Sequence, residues 1–276
     1  MKHPKSKCKA VCVGDIADWL ESAAPSGLAE EWDNCGLQVG SLKKEVRKIW
    51  IALDPLGTVI DAAVAQDVDL LITHHPLIMR PLARLDLDTP AGRSVAAAIG
   101  GRLTIFSVHT NLDSASDGLN DILGQRIGMD RMRPLVPAAA GGASLGLGRI
   151  GRLNPPRRVG ELALAIKERL HTDAVRIAGA ADMIVRRAAV CSGGGSSLLE
   201  AFLASDAQVY ISGDLRYHNA RDVEAAGRAM IDIGHFPSEY IVVEDLTGRL
   251  RKFAQDAGWA VEVEACRLER DPFVTL

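Results

Sequence analysis

Short apolar runs that alternate with amphipathic segments are the feature of this sequence that most constrains its fold. Residues 68–73 and 103–108 are almost continuously apolar, which is typical of strands covered on both faces of a sheet. Amphipathic stretches at residues 58–66 and 91–99 are predicted to be helices. Strands and helices in regular alternation predict an α/β fold with a largely parallel sheet.

The second half of the chain repeats this alternation. Four more strands are predicted, at residues 187–191, 207–212, 229–233 and 261–265. A small, uncharged stretch rich in proline and glycine, residues 134–142, is interpreted as an inter-lobe connection or a loop. The sequence therefore predicts a first α/β lobe over residues 1–130 and a second over residues 131–276, with the C-terminal segment free to pack back on the first lobe.

Composition argues against several classes of protein. The formal net charge of -3 provides no overall positive field to attract nucleic acid, and the arginines of residues 149–158 are interpreted as part of a solvated loop. Five irregularly spaced cysteines argue against a secreted disulfide framework and fit a reducing compartment. Neither a signal peptide nor an apolar run of membrane-spanning length is found, so we expect a cytoplasmic protein.

Two adjacent histidines follow the first of the buried strands. His74 and His75 come directly after residues 68–73, and Pro76 favours an extended backbone at His75. Adjacent side chains point to opposite faces within a strand, but the chain bends beyond it, so each imidazole can address one of two neighbouring metal ions. The pair can equally be polar residues that are hydrogen-bonded to the backbone at a strand end.

A histidine and a carboxylate also follow the next buried strand. His109 and Asp113 place a nitrogen and a carboxylate in one loop after residues 103–108. Manganese, iron and zinc all accept such mixed donors. Alternatively, Asp113 or Ser116 caps the helix that follows.

The same pattern recurs late in the chain. His235 follows the strand predicted at residues 229–233, and Glu239 lies four residues further on. Glu239 is predicted to bridge two ions, which a single imidazole does not do; alternatively, it complements the dipole of the helix that starts there. Since functional loops of α/β sheets lie beyond the carboxyl ends of strands, the three segments together predict one metal site.

Two further segments suit supporting roles. Asp214 and His218 are interpreted as groups that contact substrate or support the metal ligands, or else as a capped helix start with a surface histidine. Gly193, Gly194 and Gly195 lie between a predicted strand and a predicted helix, where backbone N–H groups bind phosphate or simply form a tight turn. These glycines lack the Gly-Lys-Ser/Thr ending of a Walker loop.

Residues 31–40 read as a structured turn. Asp33, Asn34 and Gly36 are turn-forming residues, and Gln38 with Val39 can begin an edge strand.

As a set, these motifs resemble one family, the YbgI-like dinuclear-metal proteins, also called the NGG-interacting-factor-three family and often named GTP cyclohydrolase I type 2. The resemblance spans nearly the whole chain and follows the family's order. It rests on Trp32-Asp33-Asn34-Cys35-Gly36-Leu37-Gln38-Val39-Gly40, Thr73-His74-His75-Pro76, His109-Thr110-Asn111-Leu112-Asp113, Cys191-Ser192-Gly193-Gly194, Ser212-Gly213-Asp214 with His218, and Gly234-His235 with Ser238-Glu239.

The resemblance implies two α/β lobes with two divalent ions (zinc, manganese, iron, nickel or magnesium) in the cleft between them. It also implies a toroidal homohexamer, and the inserted middle domain of longer members is expected to be absent here. The implied metal ligands are His74, His75, Asp113, His235 and Glu239. The sequence departs mildly from the family's pattern at Ser212, where threonine is usual, and carries a variant of the histidine loop at Pro76-Leu77-Ile78.

Paired divalent ions activate water and clamp a carbonyl or phosphoryl oxygen, so the first hypothesis is a metal-dependent hydrolase acting on a small molecule such as a nucleotide. His109 or His218 would then move a proton, and Gly193 to Gly195 would lie near phosphates. The second hypothesis is a metal-binding interaction or regulatory protein without turnover. The sequence leaves open whether the chain is an enzyme.

Overall fold

The apolar runs pair into sheets that set the framework of the chain. The computed structural model describes residues 10–139, 142 and 144–275. Its strands, in chain order, are β1 (Val11–Cys12), β2 (Gly36–Val39), β3 (Glu45–Val46), β4 (Lys48–Ala52), β5 (Leu70–Thr73), β6 (Thr104–Ser107), β7 (Met129–Pro137), β8 (Gly146–Arg158), β9 (Arg176–Ala178), β10 (Ile184–Gly194), β11 (Val209–Gly213), β12 (Ala229–Asp232) and β13 (Glu262–Ala265). Its helices are α1 (Val13–Ala23), α2 (Gly57–Ala65), α3 (Pro90–Gly100), α4 (Thr110–Ser114), α5 (Leu119–Ile127), α6 (Val159–Arg169), α7 (Leu199–Ala204), α8 (Tyr217–Ala225), α9 (His235–Glu239) and α10 (Ile241–Asp256). These elements confirm the α/β class.

The chain divides into two compact units. The first comprises the chain up to Asn111 together with Val242–Glu269, and the second comprises Leu112–Ile241 and the residues from Arg270 onward. The division into lobes at residues 1–130 and 131–276, expected from the sequence, stays a prediction. Among the helices of the described part of the chain, none is both long and apolar enough to span a membrane.

The first unit contains a five-stranded sheet in the order β13-β4-β5-β6-β2. Strands β13, β4, β5 and β6 pair in parallel, and β2 joins as an antiparallel edge strand. The parallel core confirms the predicted strands at residues 68–73 and 103–108, and β2 confirms the edge strand. A parallel sheet hides both faces, which explains why these runs are continuously apolar instead of alternating.

Helices α2 and α3 supply part of that cover. Val59, Ile60 and Ala63 of α2 pack with Val95 and Ala98 of α3 in the buried core of the first unit. Burial of each large aliphatic side chain stabilises the fold by about 1.5–3 kcal/mol. The sheet is therefore a rigid base for the loops that leave its strands.

The second unit contains a six-stranded sheet in the order β7-β8-β10-β11-β12-β9. Only β10/β11 and β11/β12 are parallel, so this sheet is mixed and the expectation of a largely parallel sheet holds only at its centre. Its buried core includes the stacked rings of Phe202 and Tyr210, whose centroids lie 5.2 Å apart.

The antiparallel pair of β7 and β8 corrects the sequence interpretation of residues 134–142 and of residues 149–158. Residues 134–137 belong to strand β7 and are not a connection, while Ala140 and Gly141 of the same stretch lie outside the described residues. Pro134 pairs with Arg149 in the register of the two strands. A proline is tolerated there because β7 is an edge strand, where a missing N–H breaks no ladder.

Arg149 is buried in the second unit, contrary to the solvated loop expected for residues 149–158. Only 1% of it is exposed. Its guanidinium donates to both carboxylate oxygens of Asp121, at 2.7 and 2.8 Å. Its remaining bonds go to the carbonyl oxygens of Gly146, Gly148 and Ala115. All five donors of the side chain are used, so this buried charge is fully compensated.

We expect Arg149→Met to lower the free energy of unfolding by about 3–5 kcal/mol, because it leaves the Asp121 carboxylate and three carbonyls without their donor. Chemical denaturation monitored by circular dichroism measures the change. The matched control is Arg152→Met, at an exposed position of the same strand, which we expect to change stability by less than about 0.5 kcal/mol. Equal unfolding free energies for the two variants would contradict this role of Arg149.

Candidate metal centre

Three histidines meet at one edge of the first unit's sheet. His74 and His75 follow β5, and His109 follows β6, which is the parallel neighbour of β5. Backbone bonds continue past the strand ends: the His75 N–H donates to the Leu53 carbonyl at 2.9 Å. The carboxyl ends of parallel strands thus deliver the three imidazoles to one place.

We call His74, His75 and His109 the imidazole cluster. One ring nitrogen from each lies within 4.8 Å of those of the other two, and the ring centroids are 5.0 to 5.3 Å apart. His74 is buried and the other two are partly buried. Three imidazoles this close, and shielded from water, could hold a metal ion.

Each ring of the cluster is held through its Nδ1 atom by an oxygen. His74 Nδ1 lies 2.9 Å from the Val108 carbonyl oxygen, and His75 Nδ1 lies 2.7 Å from Asp54 Oδ1. His109 Nδ1 lies 2.8 Å from Asp33 Oδ1.

This arrangement fixes the tautomer of the three rings. A carbonyl or a carboxylate oxygen only accepts, so Nδ1 must carry the proton and donate it. The lone pair of a neutral ring then lies on Nε2, which is the nitrogen available to a metal ion. Histidines that bind metals are oriented in this way, with the second ring nitrogen donating to a carboxylate or a backbone carbonyl.

Asp33, which the sequence placed in a simple turn, is the group that orients His109. Its side chain is 0% exposed, and it accepts hydrogen bonds from Thr110, Asn34 and Cys35 in addition to His109. Burial opposes ionisation of the carboxyl, but these hydrogen bonds outweigh it and hold the pKa of Asp33 well below its usual range. Asp33 is therefore ionised in the folded protein. In the sequence, only its position in the family's motif could have identified it as a functional residue.

Cys35 supports the same carboxylate as a neutral thiol. Its Sγ lies 3.0 Å from Asp33 Oδ2 and 3.0 Å from Asn111 Oδ1. Burial, and after it the hydrogen bond to Asp33, raises the pKa of Cys35 to about 12. The thiol stays protonated at neutral pH and serves as a donor.

Asp54, which orients His75, is fixed in turn by Glu269. The Glu269 carboxylate accepts hydrogen bonds from the N–H groups of Leu53 and Asp54, at 2.9 and 2.6 Å. Burial raises the pKa of Glu269, although these two hydrogen bonds oppose the shift. Sequence reasoning missed both acids because neither lies near a histidine motif in the chain.

The second unit brings His235 and Glu239 together in helix α9. His235 Nε2 lies 3.0 Å from Glu239 Oε2, and Glu239 is buried. His235 Nδ1 lies 2.8 Å from Asp214 Oδ2, so this imidazole is also held through Nδ1 by a carboxylate. Glu239 is the last residue of α9, so it does not lie in the first turn, where the dipole alternative would place it.

Gly193 has no side chain, and the Glu239 carboxylate occupies the space that a side chain there would fill. A Cβ atom added at Gly193 would lie 2.1 Å from Glu239 Oε1 and 3.2 Å from His235 Nε2. The backbone of Gly193 has φ +60°, a left-handed conformation that favours glycine. Its N–H donates to Ser238 Oγ at 2.8 Å, which joins the end of strand β10 to helix α9.

Asp113 lies in the same part of the second unit. Ser192 Oγ donates to its Oδ1 at 3.2 Å, and the buried Asn120 side chain donates to its backbone carbonyl at 3.1 Å. Burial, followed by the charges of Asp113 and Glu239, raises the pKa of the Cys191 thiol. Asp113 is not a cap, because the helix that follows begins after Gly118. We call His235, Glu239 and Asp113 the His–carboxylate set.

His218 and Gly195 have surroundings of their own. His218 is exposed on helix α8, where its ring contacts Tyr217 at a centroid distance of 5.4 Å. Gly195 is packed under Tyr210, whose hydroxyl donates to its carbonyl at 2.7 Å. The proton-transfer role of His218 and the phosphate role of Gly193, Gly194 and Gly195 stay predictions.

Relatives of known sequence match the chain almost end to end. A protein of Clostridium acetobutylicum called GTP cyclohydrolase 1 type 2 homolog is 32% identical over 244 residues, covering 87% of this chain and 91% of its own. A protein of the same name from Streptomyces coelicolor is 32% identical over 265 residues, covering 95% and 93%.

Solved structures share the fold. A Bacillus cereus protein related to NIF3 superposes with a TM-score of 0.91 at 24% identity, covering 98% of this chain and 100% of its own. Reduced HcgD from Methanocaldococcus jannaschii superposes with a TM-score of 0.79 at 29% identity, covering 95% and 100%. The family model described as Duf34/NIF3 (NGG1p interacting factor 3) matches residues 11–272, and the chain therefore belongs to that family.

Proposed function

We propose that this protein binds two divalent metal ions and uses them to hydrolyse a small, nucleotide-like molecule. The donors are His74 and His75 of the imidazole cluster and the three residues of the His–carboxylate set. The observation that carries the proposal is the pair of Nδ1 contacts of His74 and His75, because each contact leaves the lone pair on Nε2, the nitrogen that a metal ion can bind.

The donor chemistry favours a transition metal over magnesium. Imidazole nitrogens dominate the first unit, and imidazole suits zinc, iron and nickel, whereas magnesium takes oxygen ligands and keeps its waters. The two carboxylates, Asp113 and Glu239, add hard donors that iron, manganese and zinc also accept.

The side chains of the chain supply the remaining parts of a hydrolytic site. Divalent ions, when bound, make water a stronger acid and polarise a carbonyl or phosphoryl oxygen. His109, held by Asp33, would accept a proton from water beside His74 and His75. The Asp33 carboxylate stabilises the imidazolium that this transfer creates, as the buried carboxylate of a catalytic triad does.

The substrate class rests on the relatives. The two described above carry the name GTP cyclohydrolase 1 type 2 homolog, which supports a nucleotide-like substrate. The homohexamer implied by the resemblance and the cytoplasmic location expected from the sequence are part of the same proposal. The second candidate is a metal-binding interaction protein without turnover, and the family's description as an NGG1p interacting factor favours it.

The first test joins metal content to turnover. We expect untagged protein to bind about two equivalents of a transition metal, measured by elemental analysis, and to hydrolyse GTP or a generic phosphoester once loaded. His74→Ala and Glu239→Ala should each lower metal content and reduce kcat by about 100-fold or more, since each removes a ligand.

The two candidate functions give different results in that experiment. Tight metal binding without turnover on GTP, phosphodiesters or phosphomonoesters would favour the interaction protein. Absence of metal from freshly purified protein, together with failure to bind added zinc, manganese or iron, would contradict both candidates.

We expect Asp33→Asn to lower the kcat of the metal-loaded protein about 100-fold, because it releases the ring of His109, the proposed proton acceptor. The amide would place a donor NH₂ against Thr110, Asn34 or His109, all of which donate to the carboxylate in the wild type. Initial rates of hydrolysis by the metal-loaded variants measure the change. Asp61→Asn, at an exposed position of α2, is the charge-matched control, and equal kcat values for the two variants would contradict the role of Asp33.

We expect Gly193→Ala to lower metal affinity. The added methyl carbon would lie 2.1 Å from Glu239 Oε1 and would therefore displace the carboxylate. Gly160→Ala is the control in the same unit, because its methyl group would meet nothing closer than the Ala181 carbonyl oxygen at 3.4 Å. The two variants are compared by zinc titration. Unchanged zinc affinity in Gly193→Ala would show that the position of Glu239 does not matter for binding.

A further inference from the structure

The C-terminal segment of the first unit reaches the base of the histidine loop. Strand β13 pairs in parallel with β4, and the Cys266 N–H extends that pairing by donating to the Ile51 carbonyl at 2.7 Å. Beyond it, the buried Glu269 places one carboxylate oxygen on the N–H of Leu53 and the other on that of Asp54. The segment thus ends on the residue pair that follows β4.

That residue pair holds His75 from two sides. The Asp54 carboxylate lies 2.7 Å from His75 Nδ1, and the Leu53 carbonyl accepts the His75 N–H at 2.9 Å. Fixing the two backbone N–H groups therefore fixes both the ring and the backbone of His75. A carboxylate that accepts two N–H bonds is a strong clamp, since charged acceptors make hydrogen bonds about twice as strong as neutral ones.

We propose that Glu269 is a positioning residue that sets the geometry of His75 through Asp54, so that the C-terminal segment controls metal affinity without touching the metal. This inference rests on the proposed role of His75 as a metal ligand. A merely structural role for Glu269 would change the stability of the first unit but not the orientation of one imidazole in the folded protein.

The experiment replaces Glu269 with glutamine. The Glu269→Gln side chain keeps its shape, but one acceptor oxygen becomes an NH₂ group that faces an N–H of Leu53 or Asp54. We expect zinc affinity, measured by calorimetry on the full-length folded protein, to fall about 10-fold or more. Glu262→Gln, an exposed change of the same charge on strand β13, should bind zinc as the wild type does.

A double-mutant cycle with Asp54→Ala tests the route of the effect. If Glu269 acts through Asp54, adding Glu269→Gln to Asp54→Ala should cost little further zinc affinity. Additive losses would overturn the proposed route.

A metal-free measurement keeps the inference independent of zinc binding. In the wild type we expect a slowly exchanging Nδ1 proton of His75 in the NMR spectrum, and in Glu269→Gln we expect it to broaden or disappear. Circular dichroism of each variant confirms that the fold is kept, and a variant that does not fold is replaced by Glu269→Ala for the NMR comparison.

The outcomes separate this inference from the proposed function. Zinc binding that depends on His75 but is unchanged by Glu269→Gln overturns the inference and leaves the function standing. Wild-type protein that binds none of zinc, manganese and iron overturns the function. In that case the NMR signal of the His75 Nδ1 proton alone tests the positioning role of Glu269. If this signal persists unchanged in Glu269→Gln, the positioning role is overturned.

Discussion

A proton donated from imidazole Nδ1 to a fixed oxygen is the interaction on which the candidate centre depends. It occurs four times, with the Val108 carbonyl and the carboxylates of Asp54, Asp33 and Asp214 as acceptors. Each contact restrains the rotation of its ring. For His74, His75 and His109 the contact also selects the tautomer with the proton on Nδ1 and the lone pair on Nε2. The sheets matter chemically because they hold these oxygens still.

The sequence is informative where a single segment carries the whole signal. Strands β5 and β6 are buried on both faces, which is why their sequences are apolar runs that predict strands. Because functional loops follow the carboxyl ends of strands, the histidines at the ends of β5 and β6 were predicted to converge. Glu239 was found in the same way, from its spacing to His235 after a buried strand.

Sequence patterns do not reveal hydrogen-bond partners that lie far apart in the chain. Asp33 orients His109 across 76 positions, and Glu269 reaches Asp54 across 215. No periodicity links such residues, and each looks locally like a turn residue or a surface acid. The β7–β8 hairpin was missed for a different reason: Pro134 signals a loop, and only the edge position of β7 removes its penalty.

The chain order of β13 has a consequence for biosynthesis. The second unit is almost entirely contiguous, from Leu112 to Ile241, so all six strands of its sheet are synthesised before α10. The first unit must wait for β13, because that strand covers the open edge of β4 and precedes Glu269. A nascent chain therefore exposes the unpaired edge of β4 until β13 has been synthesised, and an open strand edge of this kind is prone to pair with other chains.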